Sequence, residues 1–78
     1  MARSKVEQAA LKEFGRRVRE RRRALGWSLE DAAEECDLHW TYVGQIERHT
    51  RNLTLLSILK LSRGLQIDAG DLLSKLHL

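Results

Sequence analysis

Apolar residues in the first third of the chain repeat at helical spacing. Phe14, Val18 and Leu25 are separated by four and seven residues, and Ala10 and Leu11 lie one turn earlier. Residues at these spacings share one face of an α-helix. The pattern therefore predicts a first helix over about residues 4–24, with one apolar stripe toward a core.

The segment that follows contains signals for a helix end and a helix start. Gly26 can adopt a positive φ and close the first helix, and Ser28 with Asp31 three residues later forms a capping-box pattern. A short second helix is expected from Ser28 to about residue 38. Its inward face consists of small residues: Ala32, Ala33 and Cys36.

A third helix is predicted from about His39 to Arg48. Val43 and Ile46 are three residues apart and form its inward stripe. Four residues are then expected to face mostly outward: Trp40, Thr41, Gly44 and Gln45. A tryptophan whose only role is to stabilise the core would not be expected to face outward at the start of a short helix.

Two leucine-rich helices complete the pattern. Thr54 is placed to cap "LLSILKLSRG", with Gly64 expected to end or weaken its last turn, and Asp68 is placed to cap a fifth helix. The prediction is an all-α protein: one domain over residues 1–78, built as a compact five-helix bundle.

The last two helices carry more apolar residues than a bundle of this size readily buries. An apolar surplus indicates a surface for self-association, with the helices over about residues 54–76 as the dimerisation unit. The alternative is that these residues only fill the core. The predicted interface residues are Leu56, Leu59, Leu65, Ile67, Leu72, Leu73 and Leu76.

Composition argues against several classes of protein. The chain has no proline, one cysteine and 5 % aromatic residues, and no apolar run approaches the ~18 residues of a membrane span. No nucleophile is paired with a base, no metal-ligand cluster is visible, and no glycine-rich phosphate loop occurs. We therefore expect a cytoplasmic protein that is not an enzyme and has no cofactor, metal or small-molecule ligand.

Charge is distributed unevenly along the chain. Residues 1–27 have nine Lys/Arg and three Glu, whereas residues 28–38 have five acidic residues and no basic one. The basic part is consistent with a polyanionic partner. The alternative is that most of "RRVRERRR" is the solvated face of the first helix, from which Arg16, Arg17 and Arg23 still add long-range attraction.

The spacing of the second and third helices is that of a helix-turn-helix over about residues 28–48. A short capped helix with small inward residues is followed by a three-residue turn and a second short helix with outward polar groups. In this motif the second helix enters the DNA major groove, which is ~12 Å wide. This arrangement predicts binding to double-stranded DNA.

The motifs in this region also resemble a known family. "FGRRVRERRRALGWSLEDAAEECDLHWTYVGQIERHTRNLTLLSILKLSRGLQID" resembles the Xre-type, phage-repressor-like helix-turn-helix domains, and "TYV" with "IERHTRNLT" is most similar to restriction–modification controller proteins. The resemblance implies a transcriptional regulator that binds a palindromic operator as a homodimer. It also implies an ion pair between Arg22 and Glu47 that positions the third helix.

The predicted helix-turn-helix assigns roles to the outward residues. Base reading is expected from Trp40, Thr41 and Gln45, because Gln can bridge adenine N6 and N7 and the Thr methyl can pack on thymine. Phosphate contacts are expected from Tyr42, Arg48, Arg51 and Asn52, with His39 as a further candidate at the helix start.

Five positions depart from the family pattern: Arg21, Leu29, Asp37, Trp40 and Leu53. Leu29 stands where Gln is usual, and Asp37 replaces a common turn glycine, although Asp tolerates left-handed φ better than most residues. Trp40 stands where controllers often have Arg. An indole has one N–H and a broad apolar face, so packing on thymine methyls or on the sugar–phosphate wall is expected.

The acidic second helix leaves two interpretations open. Its carboxylates are either a solvated face or a contact to RNA polymerase through Glu34 and Glu35. Two other functions are also consistent with the motif: a protein-interaction module such as an antitoxin, and a phage-type repressor. The outward polar residues on the third helix disfavour protein interaction as the only role.

Overall fold

A computed structural model describes residues 3–78 of the chain. Within that range it contains five helices and no strands, which confirms the all-α prediction. The helices are α1 (Lys5–Ala24), α2 (Leu29–Cys36), α3 (Trp40–Glu47), α4 (Leu55–Leu65) and α5 (Ala69–Leu73).

Side-chain caps start the helices where the sequence places them. The Ser28 hydroxyl accepts from the Asp31 N–H at 3.0 Å, and the Asp31 carboxylate accepts from the Ser28 N–H, so the predicted capping box is present. Thr54 and Asp68 cap α4 and α5, and Ser4 caps α1. These bonds satisfy backbone N–H groups that have no partner within a helix.

The core lies where α1, α2, α3 and α4 meet, and α5 closes one side of it. α1 and α2 both pack against α3, and α2 also packs against α4. The buried cluster is Phe14, Val18, Ala32, Cys36, Ile46, Leu61, Leu65 and Leu72. The predicted inward residues of α2 and α3 are therefore buried, as are Phe14 and Val18 of α1. The other predicted inward residues of the first helix are only half-buried: Ala10, Leu11 and Leu25.

Gly64 does not end α4, so the first of its two predicted roles was wrong. The helix continues through Leu65 and ends at Gln66, which has a left-handed φ of 57°. Gly64 is buried instead, and a Cβ there would be 2.6 Å from Cys36 Cα and would also collide with Cys36 Sγ. The glycine allows α2 and α4 to approach closely. Cys36 is buried between them, and its burial raises the pKa of its thiol to about 11.

The predicted dimer residues divide into two groups. Leu65 and Leu72 are fully buried within one chain, so assigning them to an interface between two copies was wrong: their side chains fill the core. Ile67 and Leu76 are half-buried and pack against that core. The other three are exposed: Leu56, Leu59 and Leu73.

Two negative findings concern residues 3–78. None of their helices is both long enough and apolar enough to cross a membrane. No group of His, Cys, Asp or Glu side chains in the same range is arranged to hold a metal ion.

Candidate nucleic-acid interface

A three-residue turn joins α2 to α3. Asp37 has the left-handed φ of 55° that its sequence position called for, and Leu38 packs against the core. His39 then caps α3, since its Nδ1 accepts from the Thr41 N–H at 3.1 Å. The turn is anchored on one side and holds α3 at the surface of the bundle.

α3 buries one face and exposes the other. Val43 and Ile46 are buried, Trp40 and Thr41 are exposed, and Gln45 is half-buried. Gly44 is buried, although an outward position was expected. The Arg48 guanidinium lies over it: a Cβ at Gly44 would be 3.1 Å from Arg48 Nη1. The exposed Arg48 side chain thereby extends this outward surface toward the helix end.

Trp40 lies at the N-terminal end of this surface and is 53 % exposed. Its ring stacks on the ring of His39, with 5.8 Å between centroids and an interplanar angle of 26°. The His39 ring is itself held by the hydrogen bond to Thr41. Two stacked aromatic rings thus form one exposed surface at the start of α3.

Arg22 and Glu47 join α1 to the end of α3. Arg22 Nε donates to Glu47 Oε2 at 2.7 Å and Arg22 Nη2 donates to Glu47 Oε1 at 2.9 Å, a bidentate contact. Hydrogen bonding to Glu47 raises the pKa of Arg22. Arg22 Nη1 also donates to the Trp27 carbonyl, so the guanidinium ties α1, the α1–α2 loop and α3 together.

Arg19 is a second partner of Glu47 that sequence reasoning missed. Its Nε donates to Glu47 Oε1 at 3.4 Å and its Nη2 donates to the Glu47 carbonyl at 3.3 Å. Arg19 and Arg22 are three residues apart and share a helix face. That spacing was the available signal that both could reach one carboxylate.

Arg51 and Gln45 contact each other across the start of the α3–α4 loop. Arg51 Nη1 donates to Gln45 Oε1 at 3.4 Å, and the Arg51 guanidinium carbon lies 5.2 Å from the centre of the Tyr42 ring. The Tyr42 hydroxyl donates to Ser57 Oγ at 3.0 Å. The structure therefore brings one predicted base-reading residue together with two predicted phosphate contacts.

Asn52 is exposed and is hydrogen-bonded to Arg3, which precedes α1. Arg3 Nε donates to Asn52 Oδ1 at 3.1 Å, which leaves the Asn52 amide N–H groups facing away from that bond. Arg3 and Gln8 also donate to the carbonyl of His49, whose φ is 52°. The loop between α3 and α4 is thus braced by α1.

Two further arginines of α1 serve structure rather than solvent. Arg21 donates to the carbonyls of Leu65 and Gln66, and Arg17 donates to that of Leu72. These carbonyls lie at the C-terminal ends of α4 and α5, where cations are favourable. Part of the run that was expected to be solvated therefore holds the bundle together.

Glu34 and Glu35 are both exposed on α2. Neither makes an ion pair with any residue between positions 3 and 78. The α2 carboxylates are therefore accessible to a partner and are not neutralised within the described chain.

The geometry is that of a helix-turn-helix, and comparison with known proteins agrees. A family model described as "Helix-turn-helix" matches residues 18–72, which is more than half of the chain. The match includes the α2–turn–α3 unit, α4 and all but the last residue of α5.

Individual relatives indicate which kind of helix-turn-helix protein the chain resembles. The chain is 48 % identical over 61 residues to control protein C.BamHI of Bacillus amyloliquefaciens, covering 77 % of this chain and 75 % of that protein. It is 34 % identical over 65 residues to control protein C.MunI of a Mycoplasma species, covering 82 % and 88 %. The crystal structure of the restriction–modification controller protein C.AhdI from Aeromonas hydrophila matches with a TM-score of 0.79 at 45 % identity, covering 82 % and 97 %.

The chain therefore belongs to the helix-turn-helix family and, within it, to the restriction–modification control proteins. These are DNA-binding regulators of transcription rather than enzymes. The resemblance drawn from "TYV" and "IERHTRNLT" is confirmed.

Proposed function

We propose that this protein binds a palindromic DNA operator as a homodimer, with α3 of each copy in the major groove. The observation that carries the proposal is the outward face of α3, where Trp40, Thr41 and Gln45 project from a helix that the Arg22–Glu47 pair fixes to α1. A braced helix with an exposed polar and aromatic face fits base reading.

Base contacts divide by chemistry along α3. Thr41 offers a methyl group to thymine, and Gln45 offers both an acceptor and donors to adenine N6 and N7. The hydrogen bond from Arg51 to Gln45 Oε1 limits the amide's rotation and leaves its Nε2 donors facing away from that bond. Trp40 contributes apolar area next to Thr41.

Phosphate contacts surround this reading face. Arg48 and Arg51 are exposed cations at the end of α3 and in the following loop, and Asn52 offers amide donors there. The Tyr42 hydroxyl donates its hydrogen bond to Ser57 Oγ. It can donate to a phosphate only if Ser57 becomes the donor of that pair. His39, at the start of α3, is the remaining candidate. Such contacts set register rather than sequence.

The dimer surface is proposed on α4. Leu55 and Leu56 are each 70 % exposed and Leu59 is 47 % exposed, and the three lie on one side of the helix. We call these three leucines the apolar patch. Leu55 was not among the predicted interface residues, whereas its two neighbours were. Burying the apolar patch against its copy satisfies the symmetry that a palindrome requires.

The test is binding of the purified protein to DNA selected from a random pool. A palindromic consensus is expected, bound with an affinity that falls on a log–log salt plot at about −0.9 per neutralised phosphate. Variants with Gln45→Ala should lose the preference at one symmetric pair of positions. Equal affinity for selected and random DNA would refute the proposal.

A contact to RNA polymerase is a second proposed function, favoured by the exposed carboxylates of Glu34 and Glu35, which have no ion-pair partner within residues 3–78. The double variant Glu34→Gln, Glu35→Gln should retain operator affinity and lose activation of transcription in a reconstituted reaction. The variant Asp71→Asn, which neutralises an exposed carboxylate on α5, serves as the control. Equal activation by all three proteins would exclude this contact.

A further inference from the structure

A basic groove lies beside the reading face, between α1 and the end of α3. Its volume is about 410 Å³. The charged residues that line it are Lys12, Arg16, Arg19 and Arg48, together with Glu13 and Glu47. Lys12 and Arg19 lie on its α1 side, outside the helix-turn-helix, and Arg19 contacts the end of α3 through Glu47.

The two carboxylates in the groove are already neutralised. Glu47 is bonded to Arg22 and Arg19, and its side chain is only 4 % exposed. Glu13 accepts from Arg16 and Arg17, and these bonds lower its pKa to about 2. The carboxylates therefore do not cancel the positive field of the groove for an incoming ligand.

Two cations in the groove have no carboxylate partner among residues 3–78. Lys12 and Arg48 are exposed, and neither makes an ion pair in that range. Arg19 is partly exposed, and its contacts with the Glu47 carboxylate and carbonyl are long, at 3.4 and 3.3 Å, so part of its guanidinium is accessible to a ligand. A cleft with accessible cations and compensated anions attracts polyanions.

The groove is continuous with the proposed DNA surface. Arg48 lines the groove and is also one of the proposed phosphate contacts, and its guanidinium lies over Gly44, one turn earlier in α3. A DNA backbone that follows the edge of the major groove past α3 therefore leads toward Lys12 and Arg19.

We propose that this basic groove binds the DNA sugar–phosphate backbone, so that α1 extends the contact surface beyond the helix-turn-helix. The inference rests on the proposed DNA binding. It adds Lys12 and Arg19 as phosphate contacts, which hold the protein on any duplex and do not read sequence. A solvated helix face would contribute only through total charge.

The test compares the double variant Lys12→Gln, Arg19→Gln with a matched control that carries Arg63→Gln and Lys75→Gln. The control also removes two exposed positive charges, both outside the groove. The double variant should bind the selected operator and random duplex more weakly by similar factors. Its log–log salt slope should be shallower by about 1 for each phosphate that the variant no longer neutralises. Thermal unfolding of each variant checks that the fold is intact.

Ethylation interference locates the contact. Phosphates whose ethylation weakens binding of the wild-type protein should include positions that no longer interfere in the double variant and still interfere in the control protein. If the double variant keeps the wild-type interference pattern and salt slope, the groove proposal is wrong. Loss of all sequence preference in the wild-type protein would instead overturn the proposed function.

A free polyphosphate would be another source of the same chemistry. Tripolyphosphate should raise the melting temperature of the wild-type protein only at the high concentrations at which any polyanion competes with DNA for the protein. Tight stabilisation by tripolyphosphate that is abolished in the double variant, with an unchanged DNA salt slope, would contradict the assignment to DNA.

Discussion

Arg22 of α1 and Glu47 of α3 form a bidentate ion pair, 2.7 and 2.9 Å long, in which the carboxylate is almost completely buried. Two parallel hydrogen bonds fix direction as well as distance. The pair therefore sets how α3 leaves the bundle. Removing either partner leaves the other charged group without its main hydrogen-bond partner in a poorly solvated place.

We expect Arg22→Ala to destabilise the protein by about 3–5 kcal/mol, because a buried carboxylate keeps only the weaker contact from Arg19. Arg22→Lys should recover part of the loss and not all of it, since an ammonium cannot make the bidentate contact. Urea unfolding followed by circular dichroism measures both. Wild-type stability in Arg22→Ala would show that the pair positions nothing.

Gly64 of α4 is expected not to tolerate a side chain. Gly64→Ala places a methyl group against Cys36 backbone atoms, which cannot move as a flexible side chain can. Overpacking of this kind typically costs about 1–3 kcal/mol. The control is Gly70→Ala, where a Cβ meets only Asp68 side-chain atoms. Equal melting temperatures for the two variants would contradict the close α2–α4 packing.

The apolar patch should control self-association. Leu56→Glu with Leu59→Glu is expected to give a monomer in sedimentation equilibrium, because burying two carboxylates against their copies is unfavourable. Operator binding should then weaken strongly, since each half-site must be filled independently. Val6→Glu changes an exposed apolar residue of α1 and should leave the assembly unchanged. A dimeric double variant would move the interface elsewhere.

Trp40 should contribute to specificity rather than to general affinity. Trp40→Ala is expected to weaken operator binding by roughly tenfold, in the range of a single base contact, and random-DNA binding by less. Replacing single operator thymines by uracil should reproduce the loss at one symmetric position and add nothing in the variant. Trp40→Arg should shift that position toward guanine. Identical site preference in all three proteins would make Trp40 a surface residue only.

The sequence predicted the elements of this fold better than their contacts. Caps and periodicity are local, so Ser28, Thr54 and Asp68 were found at their helix starts. Leu65 and Leu72 were misassigned because a leucine-rich helix does not itself reveal which face meets the core. Gly64 was misinterpreted for a related reason: its role depends on Cys36, which lies on a different helix.

The candidate site was likewise predicted in its elements and only partly in its contacts. The spacing of the motif identified Trp40 and Thr41 as exposed residues of α3 and misplaced Gly44, which is buried. The family resemblance paired Arg22 with Glu47. The contacts of Arg17, Arg19 and Arg21 were missed, because a run of arginines does not show which members meet carboxylates or helix ends. Those partners are 28 to 55 residues away in sequence.

Selection of bound sequences from a random duplex pool tests the central claim most directly. A dimer that places α3 of each copy in successive major grooves predicts two inverted half-sites whose centres lie about 34–36 Å apart. Gln45→Ala should relax the consensus at one position in each half-site, and Arg63→Gln should leave it unchanged. A pool that yields no consensus, or one without inverted symmetry, would contradict the account.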